Sequence, residues 1–171
     1  MKRLTWSKTE IGYLKLNFSS NKGKSLLMLL NKSANAIRIK ASRLNLKKES
    51  SIYRNSLELT SDEEQVILGG LMGDLHCRIT HTSKNPRLEG GHGPNQIKYL
   101  DYKTKLLERL NWTVRLTKDG STHYESKSFQ CLNQYHLLFY PNNKKVINSK
   151  ILDRINKFGL LIWYLDDGNY H

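Results

Sequence analysis

Two apolar stretches of this sequence run into aspartate: Ile67-Leu68-Gly69-Gly70-Leu71-Met72-Gly73-Asp74, and Gly159-Leu160-Leu161-Ile162-Trp163-Tyr164-Leu165-Asp166-Asp167-Gly168. Each reads as a helix with an acid in its last turn. A carboxylate there opposes the helix dipole, and a bound cation relieves that conflict. Glycine inside a helix costs about 1 kcal/mol relative to alanine, so Gly69, Gly70 and Gly73 need a reason. Close approach of a second backbone supplies one, since small residues four apart let helices touch. Two such helices side by side bring their last-turn carboxylates together. Paired carboxylates with open positions hold hard divalent ions, Mg2+ or Mn2+. Metal ions set around a phosphodiester can activate water and stabilise the leaving oxygen. One such helix alone would be an ordinary core helix; the pair argues otherwise.

The elements that position these acids can be read from pattern. Ser61 with Glu64 three residues on has the form of a capping box at the start of the first helix. His76 to His81 and the segment around Arg87 read as a basic, polar hairpin. Gln96 to Leu110 reads as a helix with Ile97, Leu100, Lys103, Leu106, Leu107 and Leu110 along one stripe. Trp112 to Leu116 and His123 to Phe129 read as strands around an Asp119-Gly120 turn, and Gln134 to Tyr140 as helix. The order is αββαββα followed by a second motif helix, an α+β fold. If the strands alternate, Arg78, Lys84, Arg87, Arg115 and Lys127 face a polyanion. His76, Cys77, His81 and His92 have no spacing typical of a structural zinc site, and His123 and His136 read as sheet-face or core residues. Cys77 and Cys131 read as reduced thiols of an intracellular protein, with a disulfide between them as the alternative.

The two acidic motifs together resemble the signatures of the LAGLIDADG homing endonucleases. Trp163-Tyr164-Leu165-Asp166-Asp167-Gly168 is similar to the second motif of double-motif members. The resemblance spans about residues 61–168. It implies a saddle-shaped sheet on double-stranded DNA, a metal site at Asp74 and Asp167, and Asp166 at the helix-packing position that Gly73 fills in the first motif. Leu75 departs from the glycine usual there. Asn142-Asn143-Lys144-Lys145 resembles the segment where the family keeps a catalytic-site lysine, which makes Lys145 the third catalytic residue. Double-motif members continue past the second motif with another αββαββα half. Three residues follow it here, so the expectation is a missing C-terminal half or a partner chain that supplies it.

The chain has 171 residues with a formal charge of +13, which favours a polyanionic partner. Residues 1–60 carry 13 Lys and Arg against 3 acids, and residues 61–171 carry 15 against 12, so the excess marks a dedicated basic module. No apolar run is long enough to span a membrane, and the first residues contain no apolar stretch suited to a secretory signal. Residues 1–47 read as three short helices. The first begins at an N-cap Ser7, with Ile11, Leu14 and Phe18 at helical spacing. The second runs from Lys24 to Leu30, with Leu26, Leu27, Leu29 and Leu30 available to a core. The third follows an N-cap Ser33, with Ile37, Ala41 and Leu44 on one face and Asn35, Arg38, Ser42 and Arg43, then Lys47, on the other. Such a set describes a helix-turn-helix whose last helix enters the major groove. Trp6 with residues 36–44 resembles a Myb-like or SANT-like domain. Residues 48–60, polar and aperiodic, read as a linker to a domain at 61–171.

The leading expectation is sequence-specific, metal-dependent hydrolysis of DNA, with intron or intein mobility as its setting in the cytoplasm, nucleoid or an organelle matrix. The alternative is a non-catalytic DNA binder or an intron RNA maturase on the same scaffold. An inert remnant of an endonuclease is the third reading.

Overall fold

The computed structural model describes residues 5–20 and 23–167. Gly168 and the first four residues, on which parts of the motif and leader readings fall, lie outside the described residues. The chain divides into two compact units at Asn55 and Ser56. Among the described residues no helix is long and apolar enough to cross a membrane.

In the first unit, Ser7 caps α1 (Lys8–Asn17) in a capping box closed by Glu10. Next come α2 (Gly23–Leu30) and α3 (Ala34–Arg43), the latter capped by Ser33. Asn31 makes the turn between them at φ 44°, a left-handed conformation that asparagine tolerates. Leu14, Leu26, Leu30 and Ile37 form the core, with Trp6, Phe18 and Leu44 packed against it. Leu29 does not join it: it is 64% exposed, and Met28 is 85% exposed. Leu26 and Leu30 stand one turn apart on the inner face with Leu27 packed beside them, so Met28 and Leu29 point outward.

The segment expected to be aperiodic forms α4 (Glu49–Ser56). Its apolar residues are too few to produce a periodic signal, and its anchors are not local. Glu49 N–H donates to Ser19 O at 3.2 Å, and the Lys48 ammonium lies 4.5 Å over the Phe18 ring.

The second unit is built on α5 (Ser61–Met72), nearly all of it buried. Its cap is Thr60 with Glu63, one residue earlier than the Ser61 and Glu64 expected. The shift puts Glu63 where Arg109 reaches it, Nε to Oε1 at 2.8 Å. Strands β1 (His76–Arg78) and β2 (Arg87–His92) follow, then α6 (Ile97–Leu106), with 3-10 turns at Pro94–Gln96 and Glu108–Leu110. The hairpin of β3 (Thr113–Leu116) and β4 (Thr122–Glu125) turns at Gly120, φ 82°. Next are α7 (Asn133–Phe139), the short α8 (Ser149–Leu152) and α9 (Lys157–Asp167). The expected αββαββα order and α+β class are present.

All strands pair antiparallel in the order β1-β2-β4-β3. Alternation sends Cys77, Leu88 and Tyr124 into the core shared with α5 and α7. β4 is shorter than expected because Ser126 and Lys127 leave the ladder, their N–H groups donating to Leu88 O and Leu110 O. The outer edge of β1 is closed by side chains of one helix face: Cys77 N–H donates to the Tyr140 hydroxyl at 3.3 Å, and His136 Nδ1 bonds Cys77 O at 2.9 Å. Neither cysteine forms a disulfide, and burial pushes the Cys77 thiol up to about 12.

Candidate metal centre and nucleic-acid interface

The glycines of α5 are the places where α9 meets it. A Cβ built on Gly69 falls 2.1 Å from Gly159 O, and one on Gly73 falls 2.5 Å from Asp166 Cβ. At the other end of this contact, the buried Gln65 donates to Arg154 O at 3.0 Å and accepts from Asn156 N–H at 2.8 Å. Asn156 in turn caps α9 through Phe158 N–H at 2.8 Å. The entry and the last turn of α9 are therefore both fixed against α5.

Asp74 leaves α5 directly after its C-cap Gly73, and Asp167 closes α9 with Oδ2 accepting the Trp163 indole N–H at 3.2 Å. The two acids stand on adjoining helix ends. Asp74 is an exposed residue, yet its carboxyl is withdrawn enough from water that desolvation leads a rise in its pKa. The charges of Asp166 and Asp167 add to that rise. Lys145 donates to Gly73 O at 2.6 Å and to Leu75 O at 3.3 Å, so it grips the backbone on both sides of Asp74. Burial lowers the pKa of its ammonium, opposed by the nearby aspartates. Lys144 is exposed.

Crowded, mutually repelling oxygen donors suit a hard divalent cation. Among the described residues no group of three or more His, Cys, Asp or Glu could cage a metal. An ion here would therefore keep ligands from water or phosphate, as Mg2+ usually does. The zinc candidates do not converge either. Cys77 is buried under α7, and His92 bonds Gln96 and the Tyr124 hydroxyl, both at 3.2 Å.

Beneath the acids lies a polar cluster within the core. Lys103 Nζ meets Asp166 Oδ1 at 2.6 Å, with side-chain exposures of 2% and 0%. The ammonium also lies 5.1 Å from the Tyr99 ring centroid and 5.6 Å from that of Tyr124. The Tyr99 hydroxyl donates to Ile162 O at 3.2 Å.

On the open face of the sheet, register brings Arg78 opposite Arg87 and Glu89 opposite Glu125. Arg87 spans both acids, Nη2 to Glu89 at 2.9 Å and Nη1 to Glu125 at 2.8 Å. Arg78 joins Glu89 at 3.4 Å and Arg115 joins Glu125 at 3.1 Å. Three guanidiniums are thus oriented by two carboxylates, and Lys84 and Lys127 stand exposed in the flanking loops.

Residues 64–171 match the LAGLIDADG DNA endonuclease family. The chain belongs to that family. It is 32% identical over 114 residues to protein RecA of Mycolicibacterium flavescens, a match covering 66% of this chain and 27% of the RecA chain. It is 23% identical over 137 residues to the cytochrome b mRNA maturase bI2 of Debaryomyces hansenii, covering 71% of this chain and 51% of that one. The chain thus spans about a quarter of the RecA relative. Among solved structures it resembles the homing endonuclease I-WcaI bound to its DNA recognition sequence. That likeness has a TM-score of 0.59 at 17% identity and covers 73% of this chain and 61% of the other.

In this LAGLIDADG chain the two motifs meet as their glycines suggested, and Asp74, Asp167 and Lys145 gather at one end of the α5–α9 contact. Sequence reasoning missed Glu89 and Glu125, although Glu89, two residues from Arg87 on one strand, shares its face. It placed Lys103 on the apolar stripe of α6 without giving it a partner. The signal was a lysine at a core position, matched by an aspartate where Gly73 shows that a small residue suffices. In the first unit Asn35, Arg38, Ser42, Arg43 and Lys47 are all exposed. Arg38 donates to Asn35 Oδ1 at 3.0 Å, and Asn35, Lys40 and Arg43 line a groove with Trp6.

Proposed function

We propose that this chain is the metal-binding portion of an endonuclease that hydrolyses phosphodiesters of double-stranded DNA. The supporting observation is the placement of Asp74 and Asp167 on adjoining ends of two helices in backbone contact. These acids hold Mg2+ or Mn2+. The bound ion supplies Lewis-acid charge beside the phosphate. Lys145 commits two of its three N–H bonds to the carbonyls around Asp74, which leaves one for a phosphate oxygen or a water beside it. The open sheet face lies along the duplex, its arginines pre-oriented by Glu89 and Glu125. Held in that way, they lose less side-chain freedom on binding.

The first unit serves as a helix-turn-helix whose third helix presents Asn35, Arg38, Ser42 and Arg43 to base edges, with Lys47 on phosphate. The exposed side of α9, with Leu160, Leu161, Trp163, Tyr164 and Leu165 each at least 36% exposed, suits coverage by a second αββαββα half.

The test is nicking of duplex libraries with Mg2+. Asp74→Asn and Asp167→Asn are expected to abolish nicking while binding persists, and equal nicking by both variants and the native chain refutes the assignment. The likeness to a maturase favours a second reading, binding of structured RNA on the same face. RNA binding that needs no metal, with no nicking of any duplex, would establish it.

A further inference from the structure

The position on α9 that faces Gly73 does not need an acid. Gly73 and Gly70 leave α5 smooth there, and a small apolar residue would fill the contact without removing a charge from water. The chain instead buries Asp166 completely at its side chain. One carboxylate oxygen is met by Lys103. The other, Oδ2, has no hydrogen-bond partner among the described residues and lies 3.0 Å from a Cβ built on Gly73 and 3.7 Å from one built on Gly70. It therefore points at the turn that carries Asp74. A buried carboxylate with a free oxygen beside a cation site is a competing ligand unless its charge is already matched.

We propose that Lys103 is a positioning residue of the two-carboxylate site. Its ammonium neutralises Asp166 and withholds it from the cation, so that Asp74 and Asp167 alone hold the ion, while the same ion pair pins the last turn of α9. The inference rests on the metal reading above. Lys103 comes from α6, 63 residues before Asp166, and is held over Tyr99 and Tyr124 in a wall of the core. This third element thus fixes what the two motif helices present to the ion.

The probe is Tb3+, a hard cation whose emission the Trp163 indole, bonded to Asp167, can sensitise. In the full chain, Asp74→Asn should abolish the sensitised signal. If it does not, the two-carboxylate reading fails, whatever Lys103 does. Given that signal, Lys103→Met is expected to lower the melting temperature yet bind Tb3+ about fivefold more tightly or better, because an unmatched negative charge now adjoins the ion. Adding Asp166→Asn to Lys103→Met should return the affinity to within about twofold of the native value. A purely structural ion pair predicts lower stability with unchanged or weaker Tb3+ binding, and that result overturns the proposal. Should Lys103→Met be unfolded alone, saturating Tb3+ is expected to fold it by linkage. A chain that stays unfolded under saturating Tb3+ overturns it equally.

Discussion

Asp74 carries a measurable signature of its surroundings. Desolvation, then the charges of Asp166 and Asp167, raise its pKa above the ordinary value of 3.8. Between those two values the folded protein holds a proton that the unfolded chain has released. Stability therefore falls as pH rises through that window and stays lower above it. Asparagine removes this penalty. Metal-free Asp74→Asn is expected to melt above the native chain at pH 7, with the gap closing below about pH 4. Mg2+ should raise the native melting temperature and leave that of the variant unchanged. Thermal melts across pH decide it, and identical native and variant profiles would contradict the electrostatic account. At this scale Asp74, Asp167 and Lys145 were legible because their types recur in motifs. Lys103 with Asp166, and the arginine-orienting Glu89 and Glu125, were not. Apart from the bond of Glu89 to Arg87 on its own strand, those roles depend on partners 10 to 63 residues away in the chain, which only the register of the sheet or the packing of α6 reveals.

Among the helices, α5 carries a contrast between two glycines. Gly69 faces Gly159 O across a gap that admits no side chain, whereas a Cβ built on Gly12 in α1 meets nothing within 4 Å. Gly69→Ala must push α9 away and is expected to cost about 2–3 kcal/mol, along with the cation response of the second unit. Gly12→Ala should instead stabilise the first unit by about 0.5–1 kcal/mol. Denaturant melts of the two variants test both signs. Glycines spaced for a helix contact made the α5–α9 pairing readable from sequence. The N-cap of α5 was misplaced by one residue because Thr60-Ser61-Asp62-Glu63-Glu64 offers two overlapping capping boxes, and the contact of Glu63 with Arg109, 46 residues away, singles out one. The pattern of α4 was too polar to register, since its support comes from Ser19 and Phe18.

For the molecule as a whole, positive charge is divided unequally between two units, and salt dependence can apportion it. Replacing Arg38, Arg43 and Lys47 together by alanine is expected to lower affinity for duplex DNA and, with Lys47 the one on phosphate, to reduce the slope of log affinity against log salt by about 0.9. An unchanged slope would remove the first unit from the footprint. The split of charge was plain in the sequence, while the boundary at Asn55 was not, because the last helix of the first unit looked like connecting chain. The sheet has a further consequence at this scale. The outward backbone groups of Cys77 on β1 are occupied by Tyr140 and His136, whereas β3 ends the sheet on the other side with Val114 and Leu116 exposed. Among the described strands, a second molecule that adds strand to strand can use only β3, and must offer its own β3 in return. Such an association is isologous and stops at two, so growth into a fibril through this sheet is closed off at every step.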